Sequence, residues 1–257
     1  MFRKYVYLSI LLGFTGFTLS ACVSESTKSA IKTDTLSDAL WELARSSEDA
    51  NNYEKAASYY DRLYTRHPKN RNALLGYARN LRYLGLAKDA IKTLQSWEAE
   101  ETDLYIKIEI GKAQLAASLI NDAKTTLTQV VEKDSNLWEA HSALGIIYDR
   151  LKDFKSAHKS YQRALTLSPD NTNIKNNFAL SLSQNGKINR AITMLEKIIE
   201  DNQAGPQTRQ NLALLFGLNG EFKKAHALAL TDLPKDLAAR NLLILKELHA
   251  IKNSKSK

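Results

Sequence analysis

Residues 136–171 read NLWEAHSALGIIYDRLKDFKSAHKSYQRALTLSPDN. Two helical patterns lie in this stretch. Leu144, Gly145 and Tyr148 share a face of the first, and Phe154, Ala157, Tyr161 and Ala164 recur every three or four residues along the second. Pro169 stands where the second must stop. The frame is not unique to this stretch. Ala56, Ala90, Ala123, Ala157, Ala191 and Ala225 are spaced 34, 33, 34, 34 and 34 residues apart. Four residues after each comes Tyr60, Leu94, Leu127, Tyr161, Leu195 or Ala229. Counting back to the partner helix gives Ala44, Ala78, Gly111, Gly145, Ala179 and Ala213. A small residue on both helices of a pair allows their axes to approach closely. Gly85, Gly186 and Gly220 stand seven places further on, where the first helix of a pair must end. Self-similarity at one fixed period means an array in which each unit buries its apolar face on its neighbours.

The 34-residue frame, with small residues at its eighth and twentieth places, resembles the tetratricopeptide repeat (TPR). The resemblance implies an all-α fold: a right-handed TPR superhelix, or α-solenoid, of helix–turn–helix units. Six units fit, at 37–70, 71–103, 104–137, 138–171, 172–205 and 206–239. The first is the least typical, with Asn51 and Asn52 in place of the turn glycine. The remaining segment, KDLAARNLLILKELHAIK, follows Pro234 and places Leu237, Asn241, Leu242, Leu245 and Leu248 largely on one stripe. An array needs a terminal helix to cover its last apolar surface. Residues 240–257 are therefore read as a capping helix and basic tail, closing the core rather than binding.

No catalytic pattern is present: no G-x-S-x-G, P-loop, G-x-G-x-x-G or H-E-x-x-H. His67, His141, His158, His226 and His249 are scattered through the frame and read as surface or packing residues. Neither a metal nor a cofactor is expected, and a non-enzymatic binding protein is. In TPR arrays the inner face is drawn mostly from the first helix of each pair. Carried onto this chain, that implies a partner-binding face of Trp41, Arg45, Asn72, Arg79, Arg82, Tyr83, Tyr105, Lys112, Arg150, Asn173, Asn176, Gln184, Gln207 and Gln210. Its N-terminal half is basic and aromatic and its C-terminal half rich in amides. Arginines suit carboxylates, and amides suit a peptide backbone. The fixed lysine and asparagine set of cochaperone-type TPR domains is not reproduced, since Trp41 and Arg45 occupy its places in the first unit.

The N-terminus carries a separate signal. Arg3 and Lys4 precede about fifteen mostly apolar residues, a length that suits a signal-peptide core and is short of the roughly 20 that span a bilayer. Then comes Leu19-Ser20-Ala21-Cys22, and Cys22 is the single cysteine of the chain. This stretch resembles the bacterial lipobox. The resemblance implies cleavage after Ala21, a covalent lipid on Cys22, and a membrane partner reached through that lipid. Val23, rather than Asp, implies the outer membrane by the enterobacterial sorting rule. Residues 1–21 thus read as signal peptide, and 22–36, rich in Ser, Thr and Lys, as lipidated N-terminus and flexible tether. The formal charge of +8 falls to +6 without Arg3 and Lys4 and favours anionic partners in general. A periplasmic body argues against nucleic acid.

The last third carries a narrower resemblance. Arg209, Asn211, Leu212, Ala213 and Leu214, then Gly220 and Ala225, then Asp232, Leu233 and Asn241, are similar to the C-terminal pattern of the TadD lipoproteins of tight-adherence (Flp) pilus assembly. That likeness implies an outer-membrane pilotin or assembly factor whose partner is a secretin subunit or another pilus-assembly protein. Two alternatives stay open: the pilotin of another secretin system, of the type IV pilus kind, and a periplasmic scaffold for cell-wall enzymes.

Overall fold

Three helix starts are set by the same device. Asn70, Asp103 and Asn171 each turn a side-chain oxygen back onto a backbone N–H two or three residues ahead, satisfying a donor the helix leaves orphaned. Asn52 and Asp153 do the same for two of the second helices. The computed structural model describes residues 25–97 and 103–254, and among them lie thirteen helices and no strand. They are α1 (Glu25–Asp49), α2 (Tyr53–Arg66), α3 (Arg71–Tyr83), α4 (Ala87–Gln95), α5 (Leu104–Ala116), α6 (Ile120–Lys133), α7 (Trp138–Arg150), α8 (Phe154–Leu167), α9 (Thr172–Gln184), α10 (Ile188–Glu200), α11 (Pro206–Leu218), α12 (Phe222–Ala229) and α13 (Lys235–Ser254). The first twelve form six antiparallel pairs in the 34-residue frame.

All twelve small residues of the eighth and twentieth places are buried. At Gly145 an added Cβ would lie 2.6 Å from the Tyr161 ring, and at Gly111 it would lie 2.6 Å from Leu127. At these two crossings a side chain of the second helix therefore packs directly onto the backbone of the first, and the frame reflects that approach.

Every pair closes with the same turn. The residue seven places past the small one has positive φ: Asn51, Gly85, Ser118, Lys152, Gly186 and Gly220. The next amide then bonds a carbonyl five residues back, as in Leu86 to Leu81, Leu119 to Gln114 and Asp153 to Tyr148. Only three of the six carry the glycine that left-handed backbone favours. The sequence signal for this turn was thus visible in half of the units while the geometry holds in all.

The core is a string of apolar clusters shared between neighbours. Tyr64 and Tyr77 each pack against two of them, as do Ile146 and Tyr148. Along the array α3 touches α5, α5 touches α7, α7 touches α9, and α9 touches α11. No such series joins the second helices. Closer spacing of the first helices bends the array so that they line its inner wall.

Two boundaries differ from the sequence reading. Residues 25–36, read as a flexible tether, are helical as the first turns of α1. Glu25–Asp49 holds no Pro or Gly, so a helix nucleated by the packed Leu40 and Ala44 propagates upstream at little cost. At the other end, α12 stops at Ala229 and α13 starts at Lys235, inside the 206–239 span. Pro234 cannot continue α12, and its carbonyl instead accepts the Ala238 amide that opens α13. The signal-peptide region and Cys22 lie outside the described residues.

Candidate interaction surface

The inner wall carries acids that the sequence reading did not count. Glu48, near the end of α1, accepts from Arg79 Nε and Nη2 at 2.9 Å each, from Asn80 Nδ2 at 2.7 Å and from the Tyr60 hydroxyl at 2.8 Å. Glu109 of α5 is buried; it accepts from Arg82 Nε at 2.8 Å and lies 3.5 Å from Lys112 Nζ. Burial and the bond to Glu48 push the Tyr60 hydroxyl up to about 12. Asp149 repeats the arrangement three units along, accepting from Tyr161 at 2.8 Å and from Ser181 of the next unit. Burial raises the Asp149 carboxyl above the usual carboxylate range.

These bonds change the roles of four residues. Arg79 and Arg82, read as clamps for a ligand's carboxylates, already brace one unit to the next. Asn176, read as an amide for a peptide backbone, is 2% exposed and bonds Thr172, Thr208 and Asn211. Trp41 is half-buried, edge-on to Tyr60 at 5.5 Å. Each of these residues has a partner on another helix, so its own position in the frame does not reveal its role.

What remains open on the inner wall is narrower. Tyr83 and Tyr105 are nearly half exposed. Tyr83 is flanked by Arg82, 4.7 Å from its ring centre, and by Tyr53 at 4.8 Å; Arg71 stands 5.1 Å from the Tyr105 ring. Exposed rings flanked in this way are ready-made contact residues, because little side-chain entropy is lost on binding. Asn72, Arg150, Asn173, Gln184 and Gln207 are exposed, and Lys112 and Gln210 are partly so. Arg45 is exposed and paired to Glu42 at 2.8 Å. The open surface is thus two tyrosines among amides and a few cations.

The C-terminal end of the wall holds a feature that sequence reasoning missed. A cleft of about 200 Å³ opens between α11, α12 and α13, lined chiefly by Leu214, His226, Leu242, Ile244, Leu245 and Leu248. The periodic leucines of α13 were a signal for it, but they were assigned wholly to closing the core. Leu245 does close it, seated over Gly217, whereas Leu237, Ile244, Leu248 and Ile251 remain exposed.

The histidines are dispersed. His67 bonds Ser37, His141 bonds the Ser135 carbonyl, His158 stands edge-on to Phe178, and His249 bonds the Leu218 carbonyl. Among the described residues no group of three or more His, Cys, Asp or Glu could hold a metal, and no helix is long and apolar enough to cross a membrane.

Two of the residues behind the tight-adherence resemblance, Arg209 and Asp232, are joined to each other, and a third, Asn211, bonds α9. Arg209 Nε donates to Asp232 Oδ2 at 2.8 Å, tying α11 to the loop before α13, and Asn211 donates to Asn176 at 3.0 Å. The Arg209 guanidinium holds the Asp232 carboxyl below its usual range.

Tetratricopeptide-repeat profiles match residues 48–107 and 138–171. The type IV pilus assembly protein PilF of Pseudomonas aeruginosa is 26% identical over 118 residues, spanning 45% of this chain and 46% of that protein. The chain thus covers about half the length of the curated relative it matches. Among solved structures, TTC0263, a TPR protein of Thermus thermophilus, superposes with a TM-score of 0.64 at 19% identity, covering 70% of this chain and 98% of that one. The Cut9–Hcn1 hetero-tetramer of the APC/C gives 0.65 at 17%, covering 85% and 45%. Six helix pairs in one 34-residue frame, repeat profiles over two stretches and solenoid neighbours agree on the fold: the described residues form an array of tetratricopeptide repeats.

Proposed function

We propose that this chain is a pilus-assembly factor that holds a partner protein on its inner wall while a lipid on Cys22 ties it to the outer membrane. The observation that carries the reading is the 118-residue match to a type IV pilus assembly protein, in a chain whose inner wall leaves Tyr83 and Tyr105 open to a partner. The partner is a secretin subunit, brought to the membrane by the lipid and gripped through Tyr83 and Tyr105. One acyl chain anchors only marginally, so stable attachment needs further acylation of the new N-terminus.

The choice of pilus system has two readings. The C-terminal pattern favours the tight-adherence kind. The PilF match favours the type IV kind, and the internal bonding of Arg209 with Asp232 gives that pattern a structural reason that any such array could share.

Deletion of the gene tests the reading. Secretin multimers should become scarce in the outer membrane and surface pili should be lost. A Tyr83→Ala/Tyr105→Ala chain should fold but fail to restore them, and Cys22→Ser should leave the protein out of the membrane fraction. A deletion strain with normal secretin rings and pili refutes the assembly role.

A further inference from the structure

Helix α13 has two faces with different partners. Ala238, Leu242, Leu245 and His249 lie toward α11 and α12. His249 stands edge-on to Phe222 at 5.5 Å, and Leu245 is 9% exposed. The other face carries Leu237, Ile244, Leu248 and Ile251, which are 41%, 54%, 43% and 52% exposed, and Leu243, 61% exposed, widens it on one flank. Steps of seven, four and three residues place all four on one stripe. A continuous exposed aliphatic stripe marks an interface rather than ordinary surface. The stripe borders the α11–α13 cleft, to which Ile244 and Leu248 contribute. At about 200 Å³ the cleft falls below the roughly 300–1,000 Å³ of small-molecule sites and suits a side chain from another helix.

Charge selects the occupant. Arg240 and Glu247 are both exposed on one flank of the stripe. Seven residues apart, they are separated by about 10 Å of helix rise, too far to pair with each other. Lay a second α13 antiparallel across the first, with Ile244 on the two-fold axis. Leu237, seven places before the axis, then meets Ile251 of the second copy, seven places after it. In an antiparallel pair the same flanks come together. Arg240, four places before the axis, therefore reaches Glu247 of the second copy, three places after it, and symmetry repeats the bond. An isologous contact requires such self-complementarity. A parallel pairing brings opposite flanks together and leaves both charges unmatched.

We propose that the chain dimerises through an antiparallel α13–α13 contact, centred on Ile244 and held in register by reciprocal Arg240–Glu247 pairs. This surface is separate from the tyrosines of the inner wall, so the dimer and the pilus partner stand or fall independently.

Sedimentation equilibrium of the full chain in mild detergent tests the proposal. Arg240→Glu or Glu247→Arg places like charges at both pairs and should weaken association by about tenfold or more. The double reversal R240E/E247R should restore it to within about threefold of the parent, since the pairing is regenerated with its sign exchanged. All these sites are exposed, and unchanged thermal unfolding excludes misfolding as the cause. Disulfide trapping in cells reads the register, with the parent chain and its Cys22 as baseline. Ile244→Cys should link to itself. Leu237→Cys and Ile251→Cys should each fail alone and link when co-expressed. A chain that stays monomeric at about 0.1 mM, where even micromolar affinity would give nearly full dimer, overturns the proposal. So do reversals without effect, self-linking of Leu237→Cys, or binding of α13 to anionic vesicles without self-association.

Discussion

Gly145→Ala sets two effects of known size against each other. On helix propensity alone the change should stabilise α7, because Gly costs about 1 kcal/mol relative to Ala inside a helix. The structure says otherwise. The new Cβ would stand 2.6, 2.7 and 2.8 Å from Cε1, Cζ and Cδ1 of Tyr161, where ordinary contact begins near 3.4 Å. The ring has nowhere to go. Tyr161 is 1% exposed, its hydroxyl is bonded to Asp149 at 2.8 Å, and Phe178 stacks on it at 5.6 Å. Overpacking of this kind costs about 1–3 kcal/mol. Set against the propensity gain, the net is a loss of about 1 kcal/mol, reaching about 2 if the ring drags Phe178 with it. That corresponds to about 2–4 °C of melting temperature per kcal/mol in an array of this size. The sixth unit supplies an internal control, since it carries Ala213 and Ala229 at the same two places, both buried. In a Tyr161→Ala background, where the ring atoms that meet the new Cβ are gone, Gly145→Ala should therefore cost nothing or stabilise. Gly205→Ala, whose added Cβ meets nothing within 4 Å, should be close to neutral. Urea unfolding followed by far-ultraviolet circular dichroism measures all of these. If Gly145→Ala stabilises the parent as much as the Tyr161→Ala chain, propensity has won and the close-approach reasoning is wrong.

Three further outcomes follow from other sites. Glu48→Gln keeps the shape but removes the charge that holds Arg79, Asn80 and Tyr60; it should cost about 2 kcal/mol, with hydrogen exchange rising first in α1. Tyr60, whose hydroxyl is pushed up to about 12, contributes stability that is complete below the ordinary tyrosine value near 10 and lost as pH rises from there through 12. Alkaline unfolding should thus begin above pH 10, and Tyr60→Phe should shrink that pH dependence; an unchanged alkaline limb counts against the assignment. Lys152 has φ of 58° at a turn where three other units place glycine, so Lys152→Gly should stabilise by about 0.5–1 kcal/mol in chemical denaturation, while Gly186→Lys should do the reverse.

Much of this fold is legible in the sequence because its cause is periodic. A close crossing between neighbouring helices demands a small residue, and each unit repeats the demand, so Ala56 through Ala225 carry the register openly. Pro68 and Pro169, each two residues past the end of α2 or α8, mark helix ends for a reason local to their own backbone. The limits of α1 and α13 were less plain. They depend on where packing nucleates a helix and where Pro234 stops one. The inner wall was the least legible part. One rule of place in the frame selects Tyr83, Tyr105 and Asn173, which the folded chain leaves exposed, and Arg79, Arg82 and Asn176, which it uses internally. Their partners Glu48, Glu109 and Thr208 lie about 27–32 residues away at differing places in the frame. A period reports what every unit shares. The ion pairs are particular to one junction, and a charge is spoken for or left open only when the folded chain brings a neighbour's side chain within bonding distance.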